Sequence, residues 1–355
     1  MFVALRDLRA ARGRFLLITL VVTLVALLVS FLSGLTAGLA HQNISAIEAI
    51  SADAIVFADT GADPSFDASA LTEQQIETWR NAAGRNGTVD PIGIGHAAAA
   101  VAGRGDSEPA RVALFGAGGT AFGNRVATEP GTVVLSSGAA EALAARTGDK
   151  VTLDAGTFTV ASIGGDDWYS HTPVVWMTPA DWRSVSPRGA AATVLAVSGV
   201  PNMVAVNTTA HTTTTSVSGS LSALSAYQAE NGSLTLMTVL LFAISALVIG
   251  AFFTVWTVQR GPDIATLKAL GATSGSLVRD ALAQAAIVLA VGVATGLGIT
   301  FVAATFMGGA LPFVLAPTTT LLPAAALIVL GLLGATFALR FLFTTDPLTA
   351  LNAAR

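Results

Sequence analysis

Few residues in this chain of 355 are of the right type and spacing to do chemistry together. The densest grouping is Asp166-Asp167-Trp168-Tyr169-Ser170-His171, carboxylates and an imidazole of the kind that hold a metal or activate a nucleophile. Neighbours in sequence rarely converge in space, however, and no second histidine lies at ligand spacing. A solvated loop is the better reading. The four histidines, His41, His96, His171 and His211, are scattered, and neither a Gly-x-Ser-x-Gly elbow nor a His-Glu-x-x-His pair occurs. No Gly-x-x-x-x-Gly-Lys-Ser/Thr phosphate loop is present either, since Gly116-Ala117-Gly118-Gly119-Thr120 has no lysine. The enzyme reading is weak, with no catalytic residue and no metal site to name. Any uphill transport by this chain would need a separate ATPase.

One further grouping suggests mechanical rather than chemical work. In Gln259–Thr273, Gly261 ends one helix, Pro262 suits the first position of the next, and Asp263 is favourable in its first turn. Gly271 ends that helix, and Thr273 or Ser274 can cap another. A two-turn helix carrying Ile264, Leu267 and Leu270 results, able to plug into a partner's groove or to rest on lipid headgroups.

The elements that must position these groups are membrane spans. The chain is 53% hydrophobic and 11% charged, where a soluble domain carries about a quarter charged residues. Charges vanish from Phe15 to Ala40, from Asn231 to Gln259 and from Ala281 to Leu339. A bilayer core needs roughly 20 apolar residues per helix. The first two blocks hold one span each and the third holds two, with Pro312, Pro317 and Pro323 marking a break. The expected helices are 15–40, 234–258, 279–306 and 322–343; Arg279, Asp280 and Arg340 lie only at their ends, and the apolar stretches hold no ionisable residue of the kind an ion-coupled carrier uses. A cleaved signal peptide is the competing reading of the first block, but its apolar run exceeds the roughly 7–15 residues of such a core.

Basic residues set the orientation. Arg6, Arg9, Arg12 and Arg14 precede the first span, Arg260, Lys268 and Arg279 follow the second, and Arg340 and Arg355 flank the fourth. The positive-inside rule places both termini and the 259–278 loop in the cytoplasm. The segment His41–Glu230 lies outside, with eighteen acidic residues against nine basic ones. Residues 1–14 read as a cytoplasmic amphipathic helix, 41–233 as an external α+β domain with stalks, 307–321 as a short external loop and 344–355 as a cytoplasmic tail. Nothing points to nucleic acid.

The external domain is expected to mix helices and strands. Gly131–Ser136, Lys150–Leu153 and Phe158–Ile163 read as strands, and Ser137–Thr147 and Leu71–Arg80 as helices, the latter capped by Thr72. Asn207–Ser225 reads equally well as a loop or as a strand followed by a helix. In the first span, Ala26, Ser30, Gly34 and Gly38 recur at every fourth position. Such a stripe lets helices approach closely, and Ser30, Gly34 and Gly38 are a candidate dimer interface.

The run Asp263-Ile264-Ala265-Thr266-Leu267-Lys268-Ala269-Leu270-Gly271-Ala272-Thr273 between two spans resembles the signature of FtsX/MacB-type (type VII) ABC transporter permeases. Thr345–Leu351, Ala4–Arg9 and the segments around Val133–Ser136, Thr147–Val151 and Phe158–Val160 are similar to other parts of that family, in its order. The resemblance implies a homodimer of permeases bound to two copies of a separate ATPase, which carries ATP and magnesium. It implies that Asp263, Ile264, Leu267, Lys268 and Leu270 form the coupling helix. Within the family, overall size and general similarity favour the haem-exporting, HrtB-like branch.

Export of a membrane-partitioned amphiphile, haem first, is the leading function, and no permanently bound cofactor is expected. Haem iron accepts histidine or methionine, so His41 and Met237 are candidate ligands at the outer membrane face, with Glu48 and Glu230 as nearby anionic groups. The alternatives are a non-transporting relay that activates cell-wall hydrolases or senses peptides, and an exporter of peptides or lipoproteins.

Overall fold

The computed structural model describes residues 12–103, 108–118, 120–154, 156–186, 189–259, 261–307 and 311–339. The amphipathic segment expected before residue 12 and the Asp346-Pro347 tail lie outside the described residues. In chain order the elements begin with α1 (Arg12–Glu48), β1 (Ala54–Ala58), α2 (Glu73–Ala83), β2 (Thr88–Val101), β3 (Ala110–Ala117), β4 (Thr132–Leu135) and α3 (Ser137–Leu143). There follow β5 (Lys150–Leu153), β6 (Gly156–Ile163), β7 (Trp168–Tyr169), β8 (Thr172–Met177), α4 (Pro179–Val185), β9 (Val194–Ser198), α5 (Met203–Ala210) and β10 (Thr212–Thr215). The chain continues with α6 (Val217–Ser220), α7 (Ser225–Gln259), α8 (Gly261–Ala269), α9 (Ser274–Met307) and α10 (Pro317–Leu339). It divides into two compact units, Met1–Gly38 with Ser233–Arg355, and Leu39–Gly232.

Four helices, α1, α7, α9 and α10, are long and apolar enough to cross a membrane. Within the helix unit they meet through small residues. A side chain at Gly292 would strike Val22, one at Gly296 would strike Ala26, and one at Gly331 would strike Leu289. Gly250 of α7 faces Gly334 of α10 directly. Lipid supplies no hydrophobic drive between apolar helices, so close van der Waals approach must hold them, and glycine permits it. Hydroxyls inside the helices bond back along their own backbone, as Thr238 Oγ1 does to Leu234 O at 2.8 Å and Thr300 Oγ1 to Gly296 O at 3.0 Å.

The sequence expectation that Pro323 helps break the third apolar block is corrected. Pro317 starts α10 and Pro323 lies inside it. Proline suits a helix's first turn, and in a transmembrane helix a freed carbonyl finds substitute partners.

The external unit is a ten-stranded mixed sheet, in the order β10-β1-β9-β2-β3-β8-β4-β6-β5, with β7 paired to β8 off this path. Because β5 also pairs with β2, six strands from β2 to β5 close on themselves. One apolar cluster, with Val112, Leu114, Val151 and Val175, sits on one face of these strands, and another, with Phe57, Phe115 and Trp176, on the other. Thr72 caps α2 in a full capping box with Gln75. The ambiguous Asn207–Ser225 tract resolves into the end of α5, β10, α6 and the start of α7.

Candidate functional site

The foot of the external unit gathers three of the chemistry-bearing residues. The last turns of α1 and the first turn of α7 both meet the loop that carries Asp166–His171. Backbone bonds fix the seam, from Ser170 N to Asn43 O at 3.0 Å and from His171 N to Gln42 O at 2.9 Å. Side chains reinforce it. Trp168 N donates to Ser45 Oγ at 2.8 Å, and His41 Nε2 lies 2.8 Å from Asp166 O and 3.2 Å from its Oδ2. His171 Nε2 lies 2.9 Å from Glu230 Oε1, and Asn43 Nδ2 donates to Glu230 Oε2 at 3.4 Å.

Ser170 and His171 adopt successive left-handed conformations, φ 51° and 60°. Such conformations are disfavoured for residues with a side chain and persist where surrounding contacts over-determine them. Behind the seam Asp167 is buried and paired with Arg125 through Oδ1. Burial pushes the Asp167 carboxyl above its usual range, and the Arg125 guanidinium pulls it back only in part.

The sequence reading of 166–171 as a merely solvated loop is therefore replaced: it clasps the ends of two long helices. His41 and Glu230 come to this one loop, each already hydrogen-bonded, while Glu48 stands exposed in the last turn of α1. Met237, on α7 in the helix unit, is 57% exposed. Sequence reasoning missed Asn43, Asp166 and His171 as partners. The density of polar residues in 166–171 was the only available signal, because its partners lie far away in sequence.

In the helix unit, α8 ends in a Schellman arrangement. Ala272 N donates to Leu267 O and Gly271 N to Lys268 O, both at 3.0 Å, with Gly271 at φ 95°. Thr273, rather than Ser274, caps α9, accepting from Ser276 N. Between these fixed ends Leu267 is 40% and Leu270 80% exposed, while Ile264 is partly covered. The side chain of Asp263 lies outside the described residues. Leu267 on this helix and Leu270 in the turn that ends it form an exposed apolar edge.

A second feature of the helix unit is a cavity of about 400 Å³ between α1, α7 and α10, bordered by Thr36, Thr238, Phe242, Thr319 and Leu322. Its lining is almost wholly apolar, edged by hydroxyls. Beside it, Gly34 and Gly38 receive the 311–314 segment of the same chain. A side chain at Gly34 would strike the Phe313 ring at 2.3 Å, and one at Gly38 would strike Pro312 O. Val314 N donates to Gly34 O at 3.1 Å. The small size of these two glycines is needed within the chain, whatever a second copy does. Ser30 is buried, and its hydroxyl has no partner among the described residues.

Residues 15–224 match the family described as MacB-like periplasmic core domain, and residues 235–347 match FtsX-like permease C-terminal. The chain belongs to the FtsX/MacB permease family.

Two relatives, from Staphylococcus haemolyticus and Staphylococcus epidermidis, carry the name "Putative hemin transport system permease protein HrtB". The first is 34% identical over 129 residues, 36% of this chain and 37% of the relative. The second is 26% identical over 208 residues, 58% of this chain and 59% of the relative. The matched stretches thus span roughly a third to three fifths of those relatives' lengths. A crystal structure of the periplasmic region of MacB from Actinobacillus actinomycetemcomitans aligns at a TM-score of 0.35 and 13% identity, covering 50% of this chain and 94% of that one.

For an FtsX/MacB-type permease, one span before and three after an inserted external α+β domain is the expected layout, and this chain has it. The family also accounts for the missing energy source: it implies a partner ATPase.

Proposed function

We propose that this permease is the membrane subunit of an efflux pump that removes a membrane-partitioned amphiphile, haem first, driven by a separate ATPase. The hydroxyl-edged apolar cavity between α1, α7 and α10 carries the reading. A polar-substrate channel would be lined by charge or water-binding groups, whereas this one suits a flat apolar body with a polar margin. The names of the staphylococcal relatives support haem in particular. Two copies of the permease with two ATPases are the proposed assembly, with ATP and magnesium on the partner. Both termini lie in the cytoplasm of a cell membrane and the external unit lies outside. Single cysteines at Ser218 and Gly275 should then label from opposite sides of intact cells, and equal labelling from outside would end this topology.

Met237 and Glu48 are exposed and stand ready as substrate contacts. His41 and Glu230 must first release Asp166 and His171. The purified permease should shift the haem Soret band in detergent, and replacing His41, Glu48, Glu230 or Met237 should weaken the shift at one or more positions. Cells lacking the protein should become haem-sensitive. Absence of both the spectral shift and the sensitivity would reject haem.

One observation favours a second reading, a non-transporting relay. The clasp of the 166–171 loop on the ends of α1 and α7 would pass helix movement to the external unit without any substrate. Haem-stimulated ATPase activity separates the two, because only an exporter requires it.

A further inference from the structure

The sheet of the external unit has a gap. Along one edge, β2 pairs with β9 over Thr88–Ile92 and with β5 over Ala99–Val101. Between them, Gly93–Ala98 have no strand on that side, and a cavity of about 210 Å³ opens there. Because the sheet is interrupted, groups from both its faces line the space: Ile94, His96 and Tyr169 from one, Leu114 and Trp182 from the other.

Trp182 is the organising side chain. Its indole lies over Gly93 and Gly116, which face each other in register across β2 and β3. A side chain at Gly93 would overlap the ring, and one at Gly116 would overlap Trp182 Cβ and the ring's Cγ. Trp182 is 3% exposed, yet its Nε1–H has no hydrogen-bond partner among the described residues. The donor opens into the cavity, where water or the acceptor of a bound molecule can meet it. Asp67 stands at the same cavity and accepts from Ser225 Oγ at 3.3 Å.

An added peptide strand does not fit the gap. Ile94 N is already met by Thr193 Oγ1 at 2.8 Å and Ala98 N by Asp154 Oδ1 at 3.2 Å, so the edge is closed at both ends to β-augmentation. The volume corresponds to about seven waters of liquid, the space of an amino-acid-sized molecule.

We infer that this cavity binds a small α-amino group with a neighbouring acceptor and an apolar body, namely a free amino acid or the first residue of a peptide. The ammonium pairs with the Asp67 carboxylate, the carboxylate or carbonyl oxygen accepts from Trp182 Nε1–H, and the side chain lies against Ile94 and Leu114. The site is separate from the membrane cavity and from haem export.

The test uses the full-length permease in detergent and contains no haem. Saturation-transfer NMR with L-leucine, L-leucyl-glycine and N-acetyl-L-leucine should show binding of the first or second and not of the third. Leucine binding assigns the site to free amino acids, and binding of leucyl-glycine alone assigns it to peptide ends. Gly95→Ala tests the site without breaking the fold, since its methyl would sit 3.6 Å from Trp182 Nε1, an ordinary contact. It should weaken binding about tenfold or more by filling the cavity. Trp182→Phe keeps a ring over the glycines and should weaken binding about two- to tenfold through loss of one hydrogen bond. No binding by any probe would overturn the assignment. Equal binding of N-acetyl-L-leucine, or unchanged binding in both variants, would do the same.

Discussion

In the helix unit the helices meet through glycines set against backbone or small side chains, as at Gly38 and Gly296, whereas the external unit, beside glycine contacts of its own under Trp182, builds a core of aromatic rings packed edge-on or tilted against one another. Phe122 and Phe115 lie 4.6 Å and 5.1 Å from the Trp176 ring, and Phe57 lies 4.9 Å from Phe66. Polar groups divide in the same way. Helix-unit hydroxyls such as those of Thr238 and Ser245 return to their own helix, while the external unit, which has such bonds as well, adds long-range ties such as His171–Glu230 and Arg125–Asp167. The difference follows from the surroundings each unit is built for. Burying a large ring gains much against water and little against lipid, so the external unit packs by area and the helix unit by fit.

That contrast predicts opposite sensitivities. Trp79 is fully buried and its Nε1 donates to Thr212 Oγ1 at 3.1 Å. Trp79→Ala should destabilise the external unit by about 3–5 kcal/mol, read as a lower midpoint in thermal unfolding of the purified permease. In the helix unit, adding atoms should hurt instead. Gly38→Ala would place a methyl 1.9 Å from Pro312 O and should cost about 1–3 kcal/mol of overpacking. If Gly38→Ala melts like the native protein, packing by fit is the wrong description of the helices.

Between these two in size lies the exposed edge of α8. Leu267→Asp would put an unpaired charge into any apolar groove that receives this helix, weakening ATPase binding by about 2–5 kcal/mol. The variant should insert normally yet fail to co-purify with its ATPase. Unchanged co-purification would leave α8 resting on lipid, and the surface that meets the ATPase would have to be sought elsewhere.

Local patterns in the sequence were readable wherever a segment determines its own structure. Lys150–Leu153 is a strand over the span that its β-branched run suggests, Thr72 caps α2, and Gly271 ends α8. Each depends on residues within one turn or one strand. Asn207–Ser225 stayed open because threonine and serine serve strands, caps and loops alike, and only pairing of Thr212–Thr215 with β1 decides the matter. The clasp was not legible, because His171 and Glu230 are 59 residues apart and His41 and Asp166 are 125 apart. Nor was the gap beside β2, which exists only because β9 and β5 pair with different ends of one strand. Pro323 misled in the other direction, since proline breaks soluble helices more strictly than membrane ones.

The smallest expected effect concerns Asp167, where the external unit does what the helix unit avoids and buries a charge. Two causes compete. Burial raises its pKa and Arg125 lowers it, with burial the larger. The folded protein therefore holds this proton more tightly than the unfolded chain does. Between the ordinary carboxylate value, about 3.9, and the raised value, the folded state binds more protons, so this group's contribution to stability falls as pH rises through that window and returns as pH falls. Asp167→Asn has no such proton. The melting temperature of the native protein relative to Asp167→Asn should thus improve as pH is lowered from neutral toward 4. A relative loss on acidification would mean that the Arg125 pairing outweighs burial, and that the external unit holds this carboxylate as a charged anchor of the 166–171 clasp.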